Sequence, residues 1–314
     1  GCSDNAYLAL GALFALLPLL VFRSRKGVVR YLVMAATFAT VIQCIDFINQ
    51  AYADMVIGLD SLFQILVNLP GLLAIVVVLW CLSAGVAVYF RKQEQADVTA
   101  LLAGKRQKLE GKSKITLVQI WLGVLALGVA VLVIMLIDAN ALGHGSRYGS
   151  LGNYLVFNDG WGTMRGYIWR KSLELYAAFP FMHKLFGFGP DTFGIMTTQY
   201  FMRDMVGTTG QVFDTAHNEY LQFLLTIGPV GLLAYLVFLL GNAWKMAKYW
   251  INQNTQNPKT PGASGASRES ACVIGCLFAV ICYCAQALVN LNLPIATPVM
   301  WVVMSIGVAS CGKK

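Results

Sequence analysis

The segment DTAHNEYLQFLLTIGPVG, residues 214–231, passes from a polar cluster centred on His217 directly into an apolar helix. Burying polar groups beside such an apolar run costs free energy unless the groups have partners or a function. The segment therefore predicts an ionisable imidazole at a membrane–water boundary, within a helical membrane fold.

The composition supports a membrane protein. Hydrophobic residues make up 57% and charged residues 12% of the 314 positions, and the mean hydropathy is +0.63. An average soluble domain is about 45–50% apolar and about 25% charged. The net charge of +8 comes from basic residues clustered between apolar runs, which is typical of cytoplasmic loops. Nucleic acid is therefore not an expected partner.

Seven apolar runs approach or exceed the roughly 20 residues that cross a bilayer. They cover residues 6–22, 28–48, 66–90, 115–137, 219–243, 271–290 and 294–311. We therefore predict an all-α fold, a polytopic bundle of transmembrane helices. Residues 1–137 hold the first four spans, and residues 219–314 hold the last three.

The positions of Lys and Arg predict the orientation. Loops 23–30 and 91–114 are basic, whereas residues 49–65 carry only acidic charges, so the two basic loops are predicted to be cytoplasmic. A cytoplasmic linker at 244–270 agrees with this orientation. The N-terminus is then outside, the C-terminus inside, and residues 138–218 form one long extracytoplasmic loop. We expect short helices in this loop to lie over the outer membrane face.

Arg165 and Trp169 lie four residues apart in this loop and share one face of a predicted helix. Arg presents donors suited to phosphate oxygens, and an interfacial Trp keeps its ring in the apolar region. Together they predict a lipid-linked phosphate at the bilayer surface, with Arg170, Arg203 and Arg147 as secondary contacts. The alternative is an ordinary surface helix with snorkelling cations.

The sequence GFGPDTF, residues 187–193, predicts a defined turn because of its Gly and Pro content. Asp191 and Thr192 are suited to orienting a nearby cation or capping a short helix. The N–H groups around Gly189 predict either an anion-binding nest or a plain structural turn.

His217 is the candidate general base, because imidazole titrates near neutrality. Asp214 and Thr215 are predicted to cap the following helix, whose positive end would lower the pKa of His217. His144 and His183 lack a ligand-like spacing with it, so no metal site is predicted. The alternative is a hydrogen-bonded, inert histidine at the interface.

These three motifs, in this order, resemble the O-antigen ligase and O-antigen polymerase family, in particular its many members in low-GC Gram-positive bacteria. The resemblance covers about residues 140–245 and rests on Arg165…Trp169, GFGPDTF and the HNEYL…G…G pattern from His217 to Gly231. The sequence SRKG, residues 24–27, resembles a further family element, but Lys26 interrupts it and Arg25 is assigned no catalytic role. Family members usually have ten or more spans, so the chain is predicted to lack N-terminal helices.

The resemblance implies a membrane glycosyltransferase that takes a glycan from undecaprenyl diphosphate on the outer face of the cytoplasmic membrane, without metal or other cofactor. We predict that Arg165 binds the diphosphate and stabilises its leaving charge, and that His217 accepts the proton of the acceptor hydroxyl. The predicted substrate contacts are Asn218, Trp169, Arg170, Arg203, Gly189 and Asp191.

The sequence leaves the reaction outcome open. A ligase transfers a finished glycan to a glycan, lipid or protein acceptor, whereas a polymerase transfers it to another lipid-linked repeat. Two other classes also remain: a multi-span flippase or transporter of polyprenyl-linked glycans, and an inactive scaffold of a polysaccharide export complex. The scarcity of charge within the apolar runs favours an enzyme over a transporter.

Overall fold

The computed structural model describes residues 5–52, 65–102, 116–256 and 268–312, and the regular structure in these ranges is helical. In chain order the helices are α1 (Asn5–Val21), α2 (Arg25–Ala51), α3 (Leu72–Leu102), α4 (Leu117–Asn140), a 3₁₀ helix (Gly145–Leu151), α5 (Gly152–Leu155), α6 (Trp161–Ala178), α7 (Phe181–Phe186), α8 (Phe193–Thr209), α9 (Glu219–Thr226), α10 (Gly228–Gln256), α11 (Arg268–Gln286) and α12 (Ala296–Ser310). The predicted all-α fold is confirmed.

Five helices are long and apolar enough to cross a membrane, namely α2, α3, α4, α10 and α11. Helices α1 and α12 are apolar but shorter. The helices fall at the seven predicted runs, as expected of a multi-pass membrane protein. Most of the basic residues used to orient the 91–114 loop lie outside the described residues.

The start of the fifth predicted span, 219–243, is wrong, because the helix is interrupted there. Helix α9 ends at Thr226 and α10 begins at Gly228, whose φ of +69° is a conformation that glycine adopts without steric cost. Pro229 follows, and its fixed φ and missing N–H suit the first turn of a new helix. The sequence therefore stays apolar between Thr226 and Gly228, although the helix is interrupted there.

The predicted linker 244–270 also begins too early, since α10 continues to Gln256. Met246 and Trp250, four residues apart, are both buried and keep this part of the helix packed against the protein. The remaining linker residues, 257–267, lie outside the described residues.

The described chain divides into two compact units. The first comprises Phe14–Val133, in which α2 packs against α3. In this unit the hydroxyl of Tyr31 donates to the carbonyl of Phe14 (2.9 Å), and Nε1 of Trp121 donates to the carbonyl of Ala15 (2.8 Å). These bonds join the end of α1 to α2 and α4.

The second unit comprises Asn5–Leu13 and Ile134–Lys314. Its C-terminal helices α10, α11 and α12 pack against one another. Its core draws on α6, α8, α9 and the segment before α9, through Tyr167, Ile168, Leu175, Phe193, Met196, Met205, Ala216 and Leu225. This core places the segment that carries His217 between α6 and α8.

Candidate functional site

His217 lies in the non-helical segment that joins α8 to α9, and this segment is fixed from both sides. From α8, the hydroxyl of Thr197 donates to the carbonyl of Phe213 (2.7 Å). From α6, Nε1 of Trp169 donates to the carbonyl of Ala216 (2.9 Å). The residue directly before His217 is therefore tied to the helix that carries Arg165.

The backbone of His217 is strained. Its φ of 47° lies in the left-handed region, which non-glycine residues adopt at a cost of about 1–3 kcal/mol. Such a conformation persists only where the surroundings impose it, and it concentrates at functional sites. The imidazole is half-buried and packs edge-on against the ring of Phe213, with the ring centroids 6.1 Å apart.

The pKa of His217 is lowered from its ordinary value, in the predicted direction but for causes other than the predicted helix end. Burial is the largest cause, because it penalises the charged imidazolium, and the positive charge of Arg165 is the second. The carboxylate of Asp214 acts in the opposite direction. His217 is therefore neutral at pH 7 and able to accept a proton.

The predicted capping of α9 by Asp214 and Thr215 is wrong, because α9 begins only at Glu219. Asn218 is the cap: its backbone is extended, and its Oδ1 accepts a hydrogen bond from the backbone N–H of Leu221 (3.0 Å). A cap must immediately precede the first helical residue to reach a free N–H of the first turn.

Arg165 follows an unusual turn. Gly162, Thr163 and Met164 all have positive φ, so the chain makes a left-handed turn before the right-handed part of α6 begins. Nη1 of Arg165 donates back to the carbonyl of Gly162 (3.0 Å), which fixes the guanidinium near the start of α6.

Gly166, beside Arg165, permits a close backbone approach. A Cβ added to it would lie 1.9 Å from the carbonyl oxygen of Asn158. The neighbouring backbone N–H of Tyr167 donates to the carbonyl of Asp159 (3.0 Å). The chain at 158–159 can therefore cross the start of α6 only because residue 166 has no side chain.

The structure links Arg165 to His217 through the helix that carries Arg165. They are distant in sequence, yet the charge of Arg165 lowers the pKa of His217. Trp169 lies one helical turn after Arg165 and binds the residue before His217. The guanidinium of Arg165, which suits phosphate, and the neutral imidazole of His217 are thus both linked to Trp169, whose ring is partly exposed.

Arg170 is engaged by carboxylates. Its guanidinium forms two hydrogen bonds with Asp159, the shorter at 2.6 Å, and one with Glu174 at 2.7 Å. These bonds raise the pKa of Arg170 and lower the pKa of both carboxyls. Lys171 bonds Asp204 of α8 (2.9 Å). The cluster ties α6 to α8, and contact of Arg170 with substrate stays a prediction.

The other arginines named from the sequence lie elsewhere in residues 138–218. Arg203 is exposed on α8. Arg147 is exposed 3.7 Å from Asp138, which also accepts a hydrogen bond from Tyr148 (2.9 Å) and bonds Nδ1 of His144 (2.8 Å). Their roles as phosphate contacts stay predictions.

The GFGPDTF turn is a structural contact with α9. The backbone N–H groups of Phe188 and Gly189 donate to the carbonyls of Leu225 (3.0 Å) and Thr226 (2.8 Å). These two groups are therefore used within the protein, which favours the structural turn over the anion nest. Among the hydrogen bonds and ion pairs of the described residues, none joins Gly189 or Asp191 to His217, and their contact with substrate stays a prediction.

Two glycines make this contact possible. A Cβ on Gly187 would lie 2.4 Å from the carbonyl of Thr226, and a Cβ on Gly228 would lie 2.2 Å from the carbonyl oxygen of Leu185. Both also have positive φ. Gly187, the first glycine of the second motif, and Gly228, the first glycine of the third motif, thus form one backbone-to-backbone contact.

The SRKG element also has a structural role. The hydroxyl of Ser24 caps α2 by accepting a hydrogen bond from the N–H of Gly27 (3.0 Å). A Cβ on Gly27 would lie 2.0 Å from the carbonyl oxygen of Val21. These residues form the tight turn between α1 and α2.

Sequence reasoning missed the part played by Glu219. Its side chain is 1% exposed and accepts hydrogen bonds from the hydroxyls of Tyr235 and Tyr283. The available signal was a carboxyl group placed directly after His217 and Asn218, at the start of a long apolar run.

Comparison with known proteins identifies the family. A family model described as O-Antigen ligase matches residues 69–236, just over half of the 314-residue chain. No curated protein and no solved structure matches the chain. The matched residues include Arg165, Trp169, the GFGPDTF turn and His217. The chain belongs to the O-antigen ligase family, whose members are membrane enzymes of the ligase or polymerase type.

Proposed function

We propose that this protein transfers a glycan from undecaprenyl diphosphate to an acceptor hydroxyl at the outer face of the cytoplasmic membrane. The family supports a polyprenyl-linked glycan donor and an acceptor. One observation carries the assignment of the site: Trp169, one helical turn after Arg165, donates its indole N–H to the carbonyl of Ala216, directly before His217 (2.9 Å). The direction of the pKa shift of His217, to which the charge of Arg165 contributes, agrees with this arrangement. Metal independence and the lack of a cofactor stay predictions from the family resemblance.

In this reaction the acceptor oxygen attacks the anomeric carbon of the donor glycan. The new bond joins that oxygen to the anomeric carbon, and the bond from the anomeric carbon to the diphosphate oxygen breaks. The acceptor proton passes to the imidazole of His217, and the electron pair of the broken bond leaves with undecaprenyl diphosphate. Arg165 binds the phosphate oxygens on which this negative charge grows.

The two residues make different contributions. A well-placed charge-stabilising donor is worth about 3–4 kcal/mol of barrier, and a general base is worth about 10²–10⁴-fold in rate. Burial supports the role of His217, because a lowered pKa keeps the imidazole unprotonated at neutral pH. Arg165 has a permanent charge and a planar fork of donors, which suit a diphosphate.

The remaining contacts support positioning of this pair. Oδ1 of Asn218 caps α9, and this cap helps to orient the neighbouring His217. The indole N–H of Trp169 donates to the carbonyl of Ala216, while its ring is available to line the path of sugar or lipid. Trp161 and Phe157 continue this aromatic row, with ring centroids 5.2 Å from Trp169 to Trp161 and 4.9 Å from Trp161 to Phe157.

The test uses the full-length gene product in membranes supplied with a labelled undecaprenyl-diphosphate glycan. We expect wild-type protein to release free carrier and form labelled product, and His217→Ala to lose at least 10²-fold of this rate at equal membrane abundance. A ladder of products indicates a polymerase, and a single product indicates a ligase. Undiminished release by His217→Ala contradicts the mechanism, and labelled lipid that crosses the bilayer without release indicates a flippase.

A further inference from the structure

Glu219 is a buried carboxyl at the first position of α9, two residues after His217. Its Oε1 accepts a hydrogen bond from Tyr235 of α10 (2.5 Å), and its Oε2 accepts one from Tyr283 of α11 (2.9 Å). Its backbone N–H donates to the carbonyl of Ala287 at the end of α11 (2.9 Å). Three hydrogen bonds therefore connect the start of α9 to two other helices.

The connection continues to the next helix. The hydroxyl of Tyr283 lies 2.9 Å from that of Thr297 in α12, and Thr297 donates to Oδ1 of Asn292 (2.5 Å). Asn292 belongs to the turn between α11 and α12. We call Glu219, Tyr235, Tyr283, Thr297 and Asn292 the Glu219 chain. The hydroxyls of Tyr283 and Thr297 supply two protons for three contacts, so the direct hydrogen bonds of Glu219 are those to α10 and α11.

We propose that Glu219 is a positioning residue for His217, which it holds in place through the start of α9. The inference rests on the proposed function, since it assigns Glu219 to the same site. Helix α9 has eight residues, too few for a helix to keep its place without tertiary contacts. The direction of α9 is therefore set by its anchors, and the Glu219 chain anchors the end next to His217.

His217 is held from two sides in this arrangement. On the N-terminal side, Trp169 of α6 binds the carbonyl of Ala216. On the C-terminal side, Asn218 caps α9 and Glu219 ties its first turn to α10 and α11. Opposed anchors of this kind explain how His217 keeps a left-handed φ that costs free energy.

The chemistry of the Glu219 chain favours positioning over simple stabilisation. Replacing a buried polar cluster by well-packed apolar side chains is often neutral or stabilising, so docking of α9 alone does not require a carboxyl. Hydrogen bonds, unlike apolar contacts, fix a direction as well as a distance. A directional anchor serves a catalytic base, since a misplacement of about 1 Å can cost about 10²-fold in rate.

The test compares four variants with wild type in the carrier-release assay. Glu219→Leu removes the acceptors but keeps an apolar side chain of similar size. Glu219→Gln keeps an oxygen that accepts from Tyr235 and adds an amide that donates to Tyr283. Tyr235→Phe removes one hydroxyl of the chain. Tyr220→Phe is the matched control, because the hydroxyl of Tyr220 also joins α9 to α11, through the carbonyl of Cys284 (2.8 Å), outside the Glu219 chain.

The expected result is a separation of turnover from binding. Glu219→Leu lowers kcat about 10- to 100-fold per folded molecule and leaves the KM for the labelled donor within about twofold. Tyr235→Phe lowers kcat about fivefold, Glu219→Gln restores it to within about threefold of wild type, and Tyr220→Phe leaves it unchanged. Thermal unfolding midpoints are measured on the same samples, and Tyr235→Phe decides the matter if Glu219→Leu does not fold.

Three outcomes overturn the inference: a wild-type kcat in Glu219→Leu, a Glu219→Gln variant as slow as Glu219→Leu, or a Tyr220→Phe variant as slow as Tyr235→Phe. A wild-type kcat in Glu219→Leu would exclude any role of Glu219 in turnover. A slow Glu219→Gln variant would assign the effect to the charge of Glu219. A slow Tyr220→Phe variant would assign it to the docking of α9 in general. His217→Ala in the same assay keeps the two proposals apart. If that variant is inactive while Glu219→Leu is normal, only the positioning role falls.

Discussion

The apolar helices of the first unit and residues 138–218 of the second meet opposite requirements. In α3 and α4, large apolar side chains such as Val78 and Leu127 are 62% and 67% exposed, and an added Cβ on Gly128 meets nothing within 4 Å. In residues 138–218, by contrast, an added Cβ on Gly166 lies 1.9 Å from a carbonyl oxygen. The exposed side chains of these two helices need only be apolar, whereas the backbone of residues 138–218 is fixed position by position.

Backbone strain shows the same difference. Within the described residues, the non-glycine positions with positive φ are Thr163, Met164, Asp191 and His217, all between residues 138 and 218. Two of them directly precede Arg165, and a third is the proposed base. Irregular backbone that is held by hydrogen bonds from several helices thus coincides with the proposed site residues.

The largest effect is expected from Arg165→Lys. Lysine keeps the positive charge but loses the planar fork, so the leaving diphosphate is bound by a point charge. We predict a loss of about 10²-fold in carrier release, within the range for removing one good charge-stabilising donor. Arg91→Lys, at an exposed position of α3 in the first unit, is the control and should retain full activity. Equal activity of both variants contradicts bidentate recognition.

A substitution of Gly166 tests the contrast in backbone constraint. Gly166→Ala places a methyl group against the carbonyl of Asn158 and must displace the chain at the start of α6, so we predict at least a tenfold loss of turnover. Gly128→Ala in α4 is the matched change, and it should be neutral or stabilise that helix by about 0.5–1 kcal/mol. Turnover and thermal unfolding of both variants are measured together. Equal tolerance at the two positions would remove the distinction between the regions.

A smaller effect is expected where one hydrogen bond is removed. Trp169→Phe keeps an aromatic ring but loses the N–H that binds the carbonyl of Ala216, a change worth about 1 kcal/mol. We predict a loss of about fivefold in kcat and a fall of about 2–4 °C in the unfolding midpoint. The control is Trp244→Phe on α10, where the side chain is 67% exposed. If Trp169→Phe matches that control, Trp169 does not position His217.

Much of the fold was predictable because crossing a bilayer is a property of length and hydropathy. The same measure failed at Gly228, where the apolar run continues but the helix is broken. That break depends on the carbonyl of Leu185, a partner distant in sequence, and on the contact with Gly187. Single-chain hydropathy contains no such information.

The site was predictable in its residue types but not in its assembly. Imidazole and guanidinium chemistry singled out His217 and Arg165, but their proximity depends on long-range contacts such as the one from Trp169 to Ala216. Glu219 was missed for the same reason. In sequence it is one acidic residue at the start of a helix, and only Tyr235 and Tyr283 turn it into an anchor.

The central claim is that Arg165 and His217 work as one site, and the pH dependence of carrier release tests it most directly. A general base must be unprotonated, so the rate falls as the pH drops through the pKa of His217. The charge of Arg165 lowers this pKa, and Arg165→Gln removes that cause while burial remains. We predict that the acidic limb of the pH profile moves to higher pH in Arg165→Gln, beneath a reduced maximal rate. A reduced rate with an unmoved acidic limb would contradict the account.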